Sequence, residues 1–174
     1  MLSVKNQKGR RVVFDAVFLA LALILSYLEF LFPVSLVVPL PGFKLGFANL
    51  VILALAVHVS MMDAGVVSLL RVTLVAMLFG NMISFWFSLC GALFSLAVIF
   101  LGKRVTVFSY IGLSVLSATG HNIGQLVAAV FLFGWSIVWS YLPVMLVASV
   151  LFGTICGILL NFLMPRIGKA VFGK

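Results

Sequence analysis

Six long apolar runs, separated by turn residues and basic clusters, limit what this chain can fold into more than any other feature. They fall at about 12–32, 45–60, 61–79, 83–101, 105–133 and 137–164. A helix rising about 1.5 Å per residue needs about 20 apolar residues to cross a bilayer core. The runs therefore predict an all-α bundle of six transmembrane helices forming one domain over 1–174. Pro33, Pro39, Pro41 and Gly42 make 33–43 an extended outer loop. Asp63 lies by the turn into the third run, and Gly80 and Asn81 mark the next turn. The fifth run has 29 residues. As one straight helix it would be about 44 Å long, so it tilts, breaks near Gly112 or Gly120, or starts in the interface. Pro165 is expected to end the sixth helix.

Composition excludes the soluble alternative. Hydrophobic residues make up 65% of the chain and charged residues 8%, against about a quarter charged in a soluble domain. The net charge of +8 could point to nucleic acid. Its placement argues otherwise. Lys5, Lys8, Arg10 and Arg11 precede the first run, Lys103 and Arg104 follow the fourth, and Arg166, Lys169 and Lys174 follow the sixth. With Arg71 inside a run, Lys44 is left as the one basic residue of an outer loop. Nine basic residues on one side against one on the other predict both termini in the cytoplasm. Residues 1–11 then form a basic cytoplasmic N-terminus and 165–174 a cytoplasmic C-terminus. The first run is longer than a signal-peptide core and reads as a span. Trp86, Trp135, Trp139 and Tyr141 fall near the outer ends of their spans. Cys90 and Cys156 lie apart inside apolar runs and read as small buried hydrophobes.

Function is sought in residues that lipid should exclude. Arg71 lies mid-span, where an arginine costs about 2.5–3.5 kcal/mol on insertion scales and must face a partner or a cavity. Glu29 lies near the end of the first span. Lys44 and Asn49 open the second. His121, Asn122 and Gln125 lie in the fifth, with His121 and Gln125 on one helix face. Ser114 and Ser117 extend that face, and Ser84, Ser88 and Ser95 form a stripe on the fourth span. The reading is an outward-facing pocket lined by Arg71, His121, Gln125, Asn49 and Lys44 and capped by 33–42. The competing reading is structural: Glu29 clamping Arg71 or Lys44, with serines, Asn and Gln joining helices. Small residues four apart recur at Ala16/Ala20, Gly120/Gly124 and Gly153/Gly157, a spacing that lets helices approach closely. Asn161 is expected to pack.

Several chemistries lack their motifs. There is no G-x-x-x-x-G-K-[ST], no aspartate-rich pair, no HExxH, and no metal or cofactor site is expected.

Two segments resemble a known family. Pro41-Gly42-Phe43-Lys44-Leu45-Gly46-Phe47-Ala48-Asn49 is similar to the P-G-x-K-L-G-x-A-N segment of the Gx transporter family, and His121-Asn122-Ile123-Gly124-Gln125-Leu126 matches it again. Arg71 and Ser88-Leu89-Cys90-Gly91-Ala92 also fit. Its members are labelled heptaprenyl diphosphate synthase component I, and they are similar to the substrate-binding S components of energy-coupling factor (ECF) transporters. The resemblance implies a multi-pass protein of a bacterial plasma membrane that binds a small molecule near the outer face, and the apolar lining with Lys44, Arg71 and His121 suggests an amphiphilic or anionic one. It implies a T-type transmembrane subunit and two ATPases as partners, with Ala16 and Ala20 at the contact. The label implies a second role, as a non-catalytic subunit beside a prenyl diphosphate synthase in quinone biosynthesis. A third reading is a membrane-embedded enzyme using His121 and Glu29.

Overall fold

The computed structural model describes residues 4–31, 44, 46–105 and 107–172. The predicted cap over the pocket, 33–42, lies outside the described residues. Among the described residues the chain is entirely helical: α1 (Val4–Leu31), α2 (Phe47–His58), α3 (Met61–Leu78), α4 (Met82–Gly102), α5 (Tyr110–Phe133) and α6 (Ser136–Phe172). Five of the six are long and apolar enough to cross a membrane. The chain is an integral membrane helical bundle.

Side chains at the turns start the helices. Ser60 Oγ accepts from the Met62 N–H at the start of α3, Asn81 Oδ1 from Ser84 at α4, and Ser109 Oγ from Gly112 at α5. Each satisfies a donor that the first turn leaves open.

The exception is α2. It has 12 residues, about 18 Å of helix, and cannot cross the bilayer alone. It touches all five other helices. Residues 51–56 are buried without a break, as befits a helix that is apolar on every face. Ile52, Leu53, Leu55 and Ala56 pack with Val67, Ile99 and Leu160 into the main core. The outer helices reverse this arrangement. Val17, Leu21, Ile24 and Leu28 on α1 and Ile155 and Leu159 on α6 are exposed. Lipid accepts such a surface; water does not.

The second, fifth and sixth runs depart from expectation. The second yields a short helix, because an apolar run reads the same whether it spans or is enclosed. Residues 103–105 and 107–109 lie between α4 and α5, and α5 begins at Tyr110 with Ser109 as its cap. The predicted end at Pro165 is overturned, since α6 carries both Pro143 and Pro165 inside it and continues to Phe172. A proline removes one N–H and crowds the carbonyl four residues earlier, but membrane helices tolerate it where neighbouring groups satisfy the freed backbone.

α5 packs most extensively, against α4 on one side and α6 on the other. The glycine spacings explain how. A Cβ on Gly120 would lie 2.7 Å from Val98 Cγ2, and one on Gly153 2.7 Å from Val115 Cα. Gly124 meets the Cys90 and Gly91 backbone, and Gly157 meets Ile111. These stripes hold the bundle together from inside. Ala16 and Ala20 differ: both are exposed on α1.

The bundle has two distinct ends. At the basic end, Arg11 Nε lies 2.7 Å from Asp63 Oδ2, Lys103 Nζ donates to the Ala56 carbonyl, and His58 stacks on Tyr110 at 5.6 Å. At the far end, Phe79 packs against Tyr27 and Phe30 at 5.4 and 5.5 Å. Trp135 and Trp139 are exposed there, as in an interfacial aromatic belt.

Candidate functional site

The polar residues predicted to line a pocket collect in the far half of the bundle, and all but half-buried Lys44 are buried. Glu29 arrives from α1. Its Oε1 accepts from the Phe47 N–H at 2.8 Å. α2 begins at Gly46 without a side-chain cap of its own, so Glu29 supplies one across the bundle. A carboxylate there also meets the positive end of the helix dipole. Among the described residues neither Lys44 nor Arg71 forms an ion pair with Glu29. Both expected clamps are therefore replaced by a bond to backbone. Glu29 Oε2 stays without a hydrogen bond.

Arg71 comes from α3. Its Nη1 lies 3.4 Å from Ser26 Oγ on α1, and its buried Nε has no partner among the described residues. Ser26 and Glu29 are three residues apart, on one face of α1. That spacing could have revealed Ser26 in the sequence. The charge of Arg71 acts on Glu29, Lys44 and His121 together.

Lys44 is held by backbone and side chain. Gln125 Nε2 donates to the Lys44 carbonyl at 3.1 Å, and Gln125 Oε1 accepts from the Lys44 N–H at 3.4 Å. Lys44 Nζ donates to Ser88 Oγ on α4 at 3.0 Å. The Gln125 amide also lies 2.8 Å from His121 Nε2. Because that amide nitrogen can only donate, His121 Nε2 accepts and the ring proton sits on Nδ1.

Two glycines make room for His121. Gly46 has φ 86°, a left-handed conformation that favours glycine. A Cβ there would lie 3.3 Å from His121 Cδ2. On the opposite face, a Cβ at Gly91 would lie 2.6 Å from His121 Cε1. The ring is thus enclosed between the start of α2 and the middle of α4. The resemblance motifs contain both glycines, yet only the fold shows that they serve one histidine.

Asn49 and Asn122 face elsewhere. Asn49 Nδ2 donates to Ser117 Oγ at 2.5 Å, Ser95 Oγ donates to Asn49 Oδ1 at 2.9 Å, and the two serines are 2.9 Å apart. This closed triangle joins α2, α4 and α5. Beside it a void of about 10 Å³ is bounded by Gly46, Asn49, Ser117 and Cys156, among others, too small for more than a water. Asn122 Nδ2 donates to the Met145 carbonyl at 2.9 Å and to Ser149 Oγ at 2.8 Å. It fastens α5 to α6, about 100° around the helix from His121. The site proper is therefore Glu29, Lys44, Arg71, His121 and Gln125, with Ser26 and Ser88 added. It offers two cationic side chains and one carboxylate already engaged by a helix start.

Comparison with curated proteins and with solved structures returns no match. A family model does match, over residues 18–163. By that match the chain belongs to the family described as heptaprenyl diphosphate synthase component I.

Proposed function

We propose that this chain is a non-catalytic binding component of the membrane, which captures the anionic group of an amphiphilic small molecule among Lys44, Arg71, His121 and Gln125. One observation carries the reading. Two buried or half-buried cations surround a single carboxylate whose near oxygen is taken by the α2 N-terminus, and Arg71 Nε is unpartnered. Isolated buried charge is costly. An anion arriving between α1, α3, α4 and α5 would balance it, and the apolar helices around it suit an attached tail.

The nine-to-one distribution of basic residues orients the site toward the outside and the basic end toward the cytoplasm. In this reading the chain works like an S component of an ECF-type importer in a bacterial plasma membrane. Exposed Ala16 and Ala20 would then let a T-type subunit approach α1 closely, with two ATPases supplying energy. The family description favours a second reading, a membrane subunit beside a prenyl diphosphate synthase.

Affinity purification from mild detergent separates the two. Recovery of a transmembrane subunit with ATPases, lost in an Ala16→Trp/Ala20→Trp variant that still folds, supports import. Recovery of a soluble prenyltransferase instead supports the second reading and removes the first.

A further inference from the structure

A second cavity lies at the basic end, apart from the Glu29 site. Its volume is about 390 Å³, within the range that holds small ligands. Val57, Ile111 and Leu113 give it apolar walls, and Lys103, Ser109, Tyr110 and Asn161 bring polar groups to it. Its described lining contains no acidic residue.

We propose that this cavity binds the phosphate-bearing head of an amphiphile. Three independent features converge. First, Lys103 Nζ spends one donor on the Ala56 carbonyl and keeps two for a ligand. Second, the cavity opens on the N-terminus of α5, a helix of 24 residues. Ser109 satisfies the Gly112 and Leu113 N–H groups. Those of Tyr110 and Ile111, both at the cavity, have no acceptor within the helix. Free N–H groups at a helix start favour an anion. Third, Val105 and Phe108 line the cavity and are exposed, and Val107 beside them is 85% exposed. An acyl or prenyl tail could leave along that surface. Nearby, Arg104 sits 4.3 Å over the Phe100 ring and adds positive charge to the same end. The stacked ring of His58 fixes Tyr110 from behind.

Phosphate on an apolar tail describes both an anionic phospholipid and a prenyl diphosphate, so the experiment includes both. The purified full-length protein is placed in phosphatidylcholine nanodiscs, either doped with phosphatidic acid or supplied with farnesyl diphosphate. Native mass spectrometry then measures retention, with diacylglycerol and farnesol as neutral controls. The wild type should retain a phosphate-headed probe over its neutral control. Lys103→Gln and Val105→Trp, one removing charge and the other filling the mouth, should each weaken retention about tenfold. Val105 lies outside the helices, so its variant decides the matter if Lys103→Gln fails to fold. Trp139→Ala, exposed at the far end and outside both sites, should retain the probe as the wild type does. Retention of phosphatidic acid alone assigns the site to lipid; retention of farnesyl diphosphate alone assigns it to a prenyl chain. Equal retention of neutral and phosphate-headed probes overturns the proposal. So does wild-type retention by Val105→Trp, or a loss with Trp139→Ala as large as that with Val105→Trp.

Discussion

The two ends of the bundle treat charge in opposite ways. At the far end, charged and polar side chains from four helices and the α2 entry are enclosed and bonded across the helices: Glu29 to the start of α2, Gln125 to Lys44 and His121, Lys44 to Ser88. At the basic end, Arg11, Lys103 and Arg104 are exposed, and Asp63 is paired at the surface. The first arrangement uses charge to organise the bundle interior. The second uses it where water is near and solvation costs little. The contrast predicts that equal charge changes will have unequal effects.

The largest effect is expected at Glu29. Glu29→Leu uncaps α2 and leaves Lys44 and Arg71 without a countercharge, costing about 3–5 kcal/mol. Glu29→Gln keeps an acceptor for Phe47 and should cost clearly less. Thermal unfolding in a fixed detergent, followed by size-exclusion fluorescence, gives both values; equal losses would show that the charge, not the helix cap, matters. Next is Gly91→Val, which drives side-chain atoms into the His121 ring. Overpacking of this kind costs about 1–3 kcal/mol, and Gly91→Val/His121→Ala should recover most of it. Failure of the second change to rescue the first would mean that the α4 backbone is the sensitive element.

A smaller loss is expected at the Asn49–Ser95–Ser117 triangle. Asn49→Ala breaks two buried bonds, yet side-chain hydrogen bonds in membranes average about 0.6 kcal/mol. The expected cost is therefore about 1 kcal/mol. The smallest change is at Arg11→Ala, whose guanidinium is exposed; the unfolding midpoint should not move measurably. A large shift there would erase the distinction between the two ends.

These differences also mark how far the sequence could be read. The spans were visible because lipid imposes length and hydropathy together. Arg71, Glu29 and His121 stood out because apolar runs exclude them. Their partners did not, since Glu29 bonds to a backbone N–H and backbone groups look alike in every sequence. The fate of Glu29 was undecided for the same reason: two cations were visible and the α2 start was not. Asn122 was grouped with His121 by adjacency, although neighbouring helical positions point about 100° apart. α2 is shorter than its apolar run suggested, and its burial by protein was not legible because enclosure by protein and enclosure by lipid ask for the same residues. The basic-end cavity was not foreseen, since Tyr110, Asn161 and Lys103 lie far apart in sequence and only helix packing brings them together.

The account rests on the excess positive charge around Arg71, two cations against one carboxylate, and ligand retention tests it most directly. Native mass spectrometry of protein purified from its own membrane should show a bound anionic amphiphile on the wild type. Arg71→Lys keeps the charge but loses the planar donor array, so it should retain part of that ligand. Arg71→Gln, folded by the same thermal criterion, should retain none. An Arg71→Gln protein that carries the ligand at wild-type occupancy would contradict the account.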